Sequence, residues 1–139
     1  MSLFLLDTNI ISEPLKLQPN PTIISMLQRY QGEVTIASVT WHELLFGCYR
    51  LPASRKRERI EQYLQDIVEP NIPILPYNVA AAEWFAIERA RLTLIGKPPA
   101  YADGQIAAIA QVNNLTLVTN NISDYADFQN LKIENWFVI

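Results

Sequence analysis

The feature that most limits the possible folds is an apolar run of strand length that ends directly in an acid. Leu3 to Leu6 is uninterrupted and apolar, and Asp7 follows it at once. Such a run predicts a buried strand, so Asp7 is expected at the strand's carboxyl end. Acids recur in two later segments, Trp41-His42-Glu43-Leu44 and Tyr101-Ala102-Asp103-Gly104. Carboxylates at the junctions of strands and helices indicate a divalent-metal pocket.

Short apolar or β-branched segments alternate with helical ones along the rest of the chain. Further strands are predicted at 34–37, 74–75, 115–119 and 132–134, before an apolar terminus at 136–139. Helices are predicted at 10–16, 21–30, from near Thr40, 55–68 and 79–94, and a last helix is predicted to contain residues 103–112. This order predicts an α/β sandwich with a mainly parallel sheet, in which ligands bind beyond the carboxyl ends of the strands. Asp7, Ser38 and residues 119–121 fall at such ends.

The bulk properties restrict the class of protein. The 139 residues suit one domain, 1–139, and 50% apolar content indicates a folded globule. The net charge of −3 gives no overall basic field, so a nucleic acid would need a local basic patch. The single cysteine, Cys48, excludes an internal disulfide and a cysteine-built zinc site. With no signal-like or membrane-spanning run, we expect a cytoplasmic protein.

Asp7 and Asp103 each have a structural alternative. Asp7 could simply cap the following helix. On a helix, Asp103 shares the apolar face of Ile106, Ala107 and Ala110, so its carboxylate points inward and needs a partner. The dipole of the helix compensates the negative charge of Asp103 only in part. A metal or buried hydrogen bonds remain as explanations.

Glu43 is less informative by itself. Thr40-Trp41-His42-Glu43 matches a capping box, in which Glu43 would bond back to the cap. Glu43 also lies away from the apolar stripe of its helix, so its burial is not predicted. A zinc-protease motif is excluded, since Phe46 stands where its second histidine is required. The sequence is compatible with Glu43 as part of a helix cap and with Glu43 as part of the metal pocket.

Taken in order, several segments resemble the PIN-domain ribonucleases, and among them the VapC-type toxins of bacterial toxin–antitoxin pairs. The resemblance covers the whole chain. Its segments are Leu6-Asp7-Thr8-Asn9-Ile10-Ile11-Ser12, Glu43-Leu44 with Gly47, Ala102-Asp103-Gly104-Gln105-Ile106-Ala107-Ala108, Leu117-Val118-Thr119-Asn120-Asn121 and Glu134-Asn135-Trp136.

The resemblance implies a single PIN domain with a three-layer α/β/α sandwich and an acidic site. Asp7, Glu43 and Asp103 match the family's recurring acids, and a fourth ligand follows the last internal strand. That ligand is Asn121 or Asp124, and the charge favours Asp124. The supporting residues would be Thr8, Asn9, Ser38, Thr119 and Asn121. Oxygen ligands select Mg²⁺ or Mn²⁺, and the implied reaction is endoribonucleolytic cleavage that leaves a 5′ phosphate and a 3′ hydroxyl.

RNA contact is assigned to a basic run. It consists of Arg50, Arg55, Lys56, Arg57 and Arg59. A run of this kind at the start of an amphipathic helix is also typical of a solvated face. By resemblance, the partners would be an RNA substrate, a second copy in a homodimer and a cognate VapB-type antitoxin, whose acidic segment could use the same run.

Two other functions compete with the nuclease. A catalytically idle PIN fold would bind RNA or protein without cleavage, and Asn121 in place of an acid permits this. A haloacid-dehalogenase-like phosphatase requires a second aspartate two residues after Asp7, where Asn9 stands. A receiver domain requires an aspartate after a central strand, whereas residues 38–40 follow the second strand here.

Overall fold

Strands and helices alternate in the computed structural model, which describes residues 2–138. The strands of this part of the chain are β1 (Phe4–Leu6), β2 (Val34–Ala37), β3 (Ile74–Leu75), β4 (Thr116–Val118) and β5 (Ile133–Glu134). They form one sheet in the order β3-β2-β1-β4-β5, and every pairing is parallel. The predicted α/β class with a mainly parallel sheet is confirmed. Ile139, the last residue of the predicted apolar terminus, lies outside the described residues.

Helices connect these strands. They are α1 (Thr8–Ile11), α2 (Pro21–Arg29), α3 (Ser38–Tyr49), α4 (Arg55–Gln62), α5 (Glu69–Asn71), α6 (Val79–Leu94) and α7 (Tyr101–Val112). A π-helical segment, Tyr63–Val68, joins α4 to α5, and single 3₁₀ turns occur at Glu13–Leu15, Ile122–Asp124 and Trp136–Val138. No helix within residues 2–138 is both long enough and apolar enough to cross a membrane.

Side-chain caps fix where three of the helices begin. Asn20, Ser54 and Asn78 each accept hydrogen bonds from backbone amides in the first turn of α2, α4 and α6. Each cap satisfies amides that have no partner within the helix. The predicted starts of these helices are confirmed.

Three predicted helix boundaries are wrong. The helix expected at 10–16 is α1 followed by a separate 3₁₀ turn, because Pro14 has no amide to continue the helical ladder. The helix expected from Thr40 begins at Ser38, directly after β2. The helix expected at 55–68 is α-helical only to Gln62 and continues as the π-helical segment.

The sheet is covered on both faces. Leu5 and Leu117 pack into one cluster of buried residues with α6 and α7, whereas Phe4, Leu6 and Ile36 pack into another with α2 and α3. Alternate residues of a strand point to opposite faces, which separates the two clusters. The architecture is therefore the three-layer α/β/α sandwich that was expected.

Gly104 sets the distance between α6 and α7. A Cβ atom at this position would lie 2.0 Å from the nearest ring carbons of Phe85, which is 2% exposed. Only glycine allows α7 to approach α6 this closely. The close contact also fixes the start of α7, where Asp103 is located.

Candidate active site

The centre of the site lies where the order of strands reverses. From β1 the chain builds outward through β2 and β3, and then returns to add β4 and β5 on the other side of β1. In a parallel sheet this reversal opens a crevice at the carboxyl ends of the two central strands. Asp7 follows β1 and Thr119 follows β4, so both residues line that crevice.

Asp7 is held by neutral donors on both carboxylate oxygens. Oδ1 accepts from the amide of Thr8 at 2.8 Å, which caps α1 as the structural alternative proposed. Oδ2 accepts from the hydroxyl of Thr119 at 2.8 Å and from the amide side chain of Asn9 at 3.4 Å. Asp7 is only 7% exposed. It therefore both caps α1 and lies within the crevice.

Asp103 lies in the first turn of α7 and faces Asp7 across a tyrosine hydroxyl. The hydroxyl of Tyr125 lies 3.3 Å from Oδ2 of Asp7 and 3.4 Å from Oδ1 of Asp103. Tyr125 is 1% exposed and follows directly on the 3₁₀ turn that ends at Asp124. Burial, followed by the charges of Asp7 and Asp103, raises the pKa of this phenol, so it remains a proton donor.

The charges that shift the pKa of Asp103 belong to other acids. Partial burial, followed by the carboxylates of Asp124 and Asp7, raises the pKa of Asp103. The carboxylate of Glu43 raises this pKa further, whereas the hydrogen bond from Tyr125 opposes the rise. Three acids from separate segments therefore lie within electrostatic range of Asp103.

The capping-box reading of Glu43 is wrong. Because α3 begins at Ser38 with Ala37 at its cap position, Glu43 lies beyond the first turn and cannot cap it. Its carboxylate instead accepts from the hydroxyl of Thr8 at 3.2 Å, next to Asp7. Glu43 is exposed at the rim of the crevice.

The two candidates for the fourth position have different surroundings. Asp124 lines a cavity of about 320 Å³ together with Asp103 and Lys97. Asn121 is exposed, and its backbone amide donates to the hydroxyl of Thr119 at 3.0 Å. The structure thus brings the side chain of Asp124 to the same cavity as Asp103.

The other supporting residues differ in how closely they approach the acids. Asn9 bonds Asp7 and also accepts from the backbone amide of Asn120 at 3.0 Å, which ties α1 to the loop after β4. Ser38 lies at the carboxyl end of β2, where it was expected. Within residues 2–138, no hydrogen bond joins the Ser38 hydroxyl to the acids.

The basic run divides into two groups. Arg57 bonds Glu61 at 2.9 Å and the carbonyl of Leu51 at 3.1 Å, and therefore holds the turn between α3 and α4. Arg55, Lys56 and Arg59 of the run line a groove of about 670 Å³, which also includes Lys16 from outside the run. Arg50 is exposed at the end of α3.

Two residues were not identified from the sequence: Tyr125, which lies beside Asp7 and Asp103, and Lys16, which lines the basic groove. Lys16 is distant in sequence from the basic run and reaches the groove only through the fold. Tyr125 follows Asp124 directly in the sequence, and an aromatic residue of this kind is typical of a protein core. Its one available signal was a hydroxyl group beside a candidate ligand.

The chemistry of the acids fits a hard divalent cation. All candidate ligands are oxygen atoms, and mutual repulsion among ionised carboxylates is relieved when a cation binds between them. As the side chains of residues 2–138 stand, no three of the His, Cys, Asp and Glu groups are close enough together to hold a metal ion. A cation would therefore have to draw the carboxylates inward.

Known proteins are similar to this chain in sequence and in fold. The family model of the PIN domain matches residues 4–129. Toxin FitB of Neisseria gonorrhoeae is 34% identical over 126 residues, which cover 88% of this chain and 91% of that protein. The tRNA(fMet)-specific endonuclease VapC of Shigella flexneri is also 34% identical, over 136 residues that cover 96% of this chain and 97% of that enzyme.

Solved structures agree with the sequence relatives. The FitAcB crystal structure from Neisseria gonorrhoeae superposes with a TM-score of 0.90 at 31% identity, covering 99% of this chain and 100% of that one. DNA-bound VapBC from Salmonella typhimurium gives a TM-score of 0.84 at 28% identity, covering 98% of this chain and 99% of that one. The family match, the sequence similarity and the structural similarity lead to one conclusion: this chain belongs to the PIN-domain family.

Proposed function

We propose that residues 1–139 form a single PIN domain that cleaves RNA with Mg²⁺ or Mn²⁺ and acts as the toxin of a VapBC-type pair. The observation that carries this proposal is the placement of Asp7 and Asp103 at the reversal of strand order. The charges that raise the pKa of Asp103 are those of Asp124, Asp7 and Glu43, and the hydrogen-bond donors to Asp7 and Asp103 are neutral. A relative that is 34% identical over 96% of this chain is named as an endonuclease specific for tRNA(fMet).

In the proposed mechanism, the acids have different roles. A bound Mg²⁺ or Mn²⁺ supplies Lewis acidity, both to activate a water at neutral pH and to neutralise charge on the scissile phosphate. Asp7 and Asp103 would hold the ion, while Glu43 and Asp124 would complete the pocket directly or through water. Glu43, exposed at the rim, accepts the proton of the attacking water. The products carry a 5′ phosphate and a 3′ hydroxyl.

Neutral groups around the acids orient them. Thr119 and Asn9 fix the carboxylate of Asp7, and Thr8 fixes that of Glu43. Asn121 lies beside Thr119 and serves as a neighbour of the bound water or phosphate, and Ser38 lines the same edge of the sheet. Groups that orient metal ligands affect metal affinity strongly.

The basic groove is the proposed path of the RNA backbone. Lys16, Arg55, Lys56 and Arg59 line it together with Ser12, whose hydroxyl bonds the carbonyl of Thr8 at 2.6 Å. The groove therefore begins one turn of α1 away from the acids. Local positive charge is needed here, because the site itself repels phosphates. Arg50 lies outside this groove, and Arg57 supports it by holding the start of α4.

Partners are proposed from the relatives. FitAB and VapBC were solved as toxin–antitoxin complexes bound to DNA, in which a FitB- or VapC-type chain resembles this one. We infer a cognate VapB-type antitoxin for this chain, together with assembly as a homodimer. A cytoplasmic location would give the enzyme access to RNA and to that antitoxin.

Cleavage of RNA tests the proposed function. Purified protein free of antitoxin is incubated with a mixed RNA pool and Mg²⁺ or Mn²⁺, beside EDTA and an Asp7→Asn, Asp103→Asn double variant. Asp66→Asn serves as the matched control, because Asp66 is an exposed acid in the π-helical segment. We expect metal-dependent cleavage by the wild type and by the control, and none by the double variant.

Two outcomes would contradict the proposal. Equal cleavage by the double variant would indicate a contaminating nuclease. Binding of RNA without metal-dependent cleavage, across several RNA classes, would favour the idle binding module.

The RNA path has a separate test. Arg55→Glu with Lys56→Glu reverses charge in the groove, while Arg29→Glu reverses it on the exposed end of α2. We expect the double variant to bind RNA at least about 10-fold more weakly, with a shallower dependence on salt, because fewer counterions are released. Equal weakening by Arg29→Glu would mean that overall charge, rather than the groove, determines binding.

A further inference from the structure

The hydroxyl of Tyr125 lies between the two most enclosed acids of the site. It is 3.3 Å from Oδ2 of Asp7 and 3.4 Å from Oδ1 of Asp103, and the residue is 1% exposed. The ring packs in the core cluster with Phe128, with ring centroids 6.5 Å apart. Packing therefore fixes the ring, and the ring places the hydroxyl.

One hydroxyl proton serves two carboxylates. A tyrosine hydroxyl donates a single hydrogen bond, so it can satisfy Asp7 or Asp103 at a given moment. Both distances exceed the roughly 2.7–2.8 Å that is usual between hydroxyl and acceptor oxygens. The hydroxyl therefore bridges the two acids loosely and occupies the space between them.

The two bridged oxygens have few other charged partners. Oδ2 of Asp7 also accepts from the neutral donors Thr119 and Asn9, and the charges that shift the pKa of Asp103 are those of other acids. A cation that binds Asp7 and Asp103 together would use lone pairs of these same carboxylates. The hydroxyl and the cation therefore compete for the same place.

We propose that Tyr125 is a positioning residue that holds Asp7 and Asp103 in a metal-free arrangement and lowers the affinity of the site for the divalent cation. This inference rests on the proposed function, because it assumes that the acids bind a metal. A contact made only in the free protein stabilises that state and weakens binding by the same free energy. Tyr125 also adjoins Asp124, so one short turn carries both the bridge and the fourth candidate ligand.

Removal of the hydroxyl alone tests this role. Tyr125→Phe keeps the ring in the core. Tyr63→Phe is the matched control, because the Tyr63 hydroxyl donates to the carbonyl of Ile11 at 2.7 Å and has no hydrogen bond to an acid of the site. Binding of Mn²⁺ is measured by calorimetry, and thermal unfolding is followed in EDTA.

We expect Tyr125→Phe to bind Mn²⁺ about 3- to 10-fold more tightly than the wild type, as loss of a weak competing hydrogen bond implies. Its unfolding temperature in EDTA should fall, and Mn²⁺ should raise that temperature by more than in the wild type. Tyr63→Phe should lower the unfolding temperature but keep the wild-type dissociation constant.

A second measurement does not depend on how the variant folds. Titration of the wild type and of Tyr63→Phe with Mg²⁺ should change their near-ultraviolet tyrosine absorption, as the bridge is released. No change in the wild type would overturn the inference.

The results separate this inference from the proposed function. An unchanged or weaker affinity of Tyr125→Phe for Mn²⁺ would overturn the role of Tyr125 and leave metal binding intact. Failure of the wild type to bind Mn²⁺ or Mg²⁺ would overturn both.

Discussion

Two helices that pack against each other, α6 and α7, carry acids with opposite surroundings. Glu88 on α6 is 5% exposed, and Arg91 contacts both of its oxygens at 2.9 Å while the amide of Gln129 donates at 2.8 Å. These contacts lower the pKa of Glu88, the hydrogen bond from Arg91 contributing most. Asp103 on α7 has a raised pKa instead, because of burial and neighbouring acids.

The difference distinguishes an acid that serves the fold from one that serves a ligand. A buried charge with a cationic partner and full hydrogen bonds can stabilise the protein or cost it little. An acid that is partly buried among other acids costs free energy in the absence of a cation. Glu88 also anchors the segment that follows Tyr125, since Arg91 donates to the carbonyl of Asp127 at 2.8 Å. The structural acid thus supports the turn that carries part of the site.

The largest effect is expected for Asp103→Asn. Outer-shell groups at metal sites are typically worth about 10- to 100-fold in affinity or activity, and a direct ligand should exceed that. RNA cleavage by this variant should therefore fall by at least about 100-fold in initial-rate measurements. Glu88→Gln, assayed well below its unfolding temperature, should retain cleavage near the wild-type rate. Comparable losses in both variants would remove the distinction between the two acids.

Gly104→Ala tests the contact between the two helices. The added methyl group would overlap the buried ring of Phe85. Overpacking of this kind costs about 1–3 kcal/mol, and the enclosed ring places this variant toward the upper end. Urea unfolding should show the loss. Unchanged stability would mean that Phe85 moves aside freely and that the spacing of α6 and α7 is not fixed by glycine.

A smaller effect on stability is expected for Glu88→Gln. Loss of charge-assisted hydrogen bonds from a buried group should lower the free energy of unfolding by about 1–2 kcal/mol. Asp103→Asn in EDTA should cause no such loss, because it relieves repulsion among acids. Chemical unfolding of the two variants side by side provides the comparison. Equal destabilisation would show that Asp103 is as structural as Glu88.

The smallest effect is a dependence on pH. The pKa of Glu88 is lowered in the folded protein from its ordinary value of 4.5. Its ionised form therefore stabilises the fold above that ordinary value, and the contribution is lost as the pH falls through the lowered pKa. The advantage of the wild type over Glu88→Gln should be constant near neutrality and shrink below about pH 4.5. An advantage that persists unchanged in acid would contradict the ionic role of Glu88.

Sequence patterns located the acids because strand ends are easy to predict. The apolar run before Asp7 was enough to place Asp7 at the end of a strand, whereas Asp103 was singled out by its position on the apolar face of a helix and by the family resemblance. Glu43 was harder, because Thr40 to Glu43 imitates a capping box and the true start of α3 depends on where β2 ends. A shift of two residues in the start of the helix changed the reading of that side chain.

Contacts between distant segments were beyond sequence reasoning. The bridge by Tyr125 depends on how the turn after β4 meets the start of α7, and the position of Lys16 depends on the packing of α4. The pairing of Arg57 with Glu61, in contrast, follows the four-residue spacing of helical neighbours, although Arg57 was assigned to RNA contact from the sequence. The spacing of residues within one helix predicts pairs within that helix. The charges that surround the site depend on contacts between distant segments, which only the fold shows.

The most direct test of the central claim is the stabilisation of the metal-free protein by added Mn²⁺. Thermal unfolding is measured for the wild type, Asp103→Asn and Glu88→Gln, with EDTA and with excess Mn²⁺. At about 100 times its dissociation constant, a ligand stabilises the folded state by about 2.7 kcal/mol. We predict that Mn²⁺ raises the unfolding temperature of the wild type and Glu88→Gln by similar amounts and that of Asp103→Asn by little. An equal rise in Asp103→Asn would contradict the claim that the uncompensated acids are there to bind a cation.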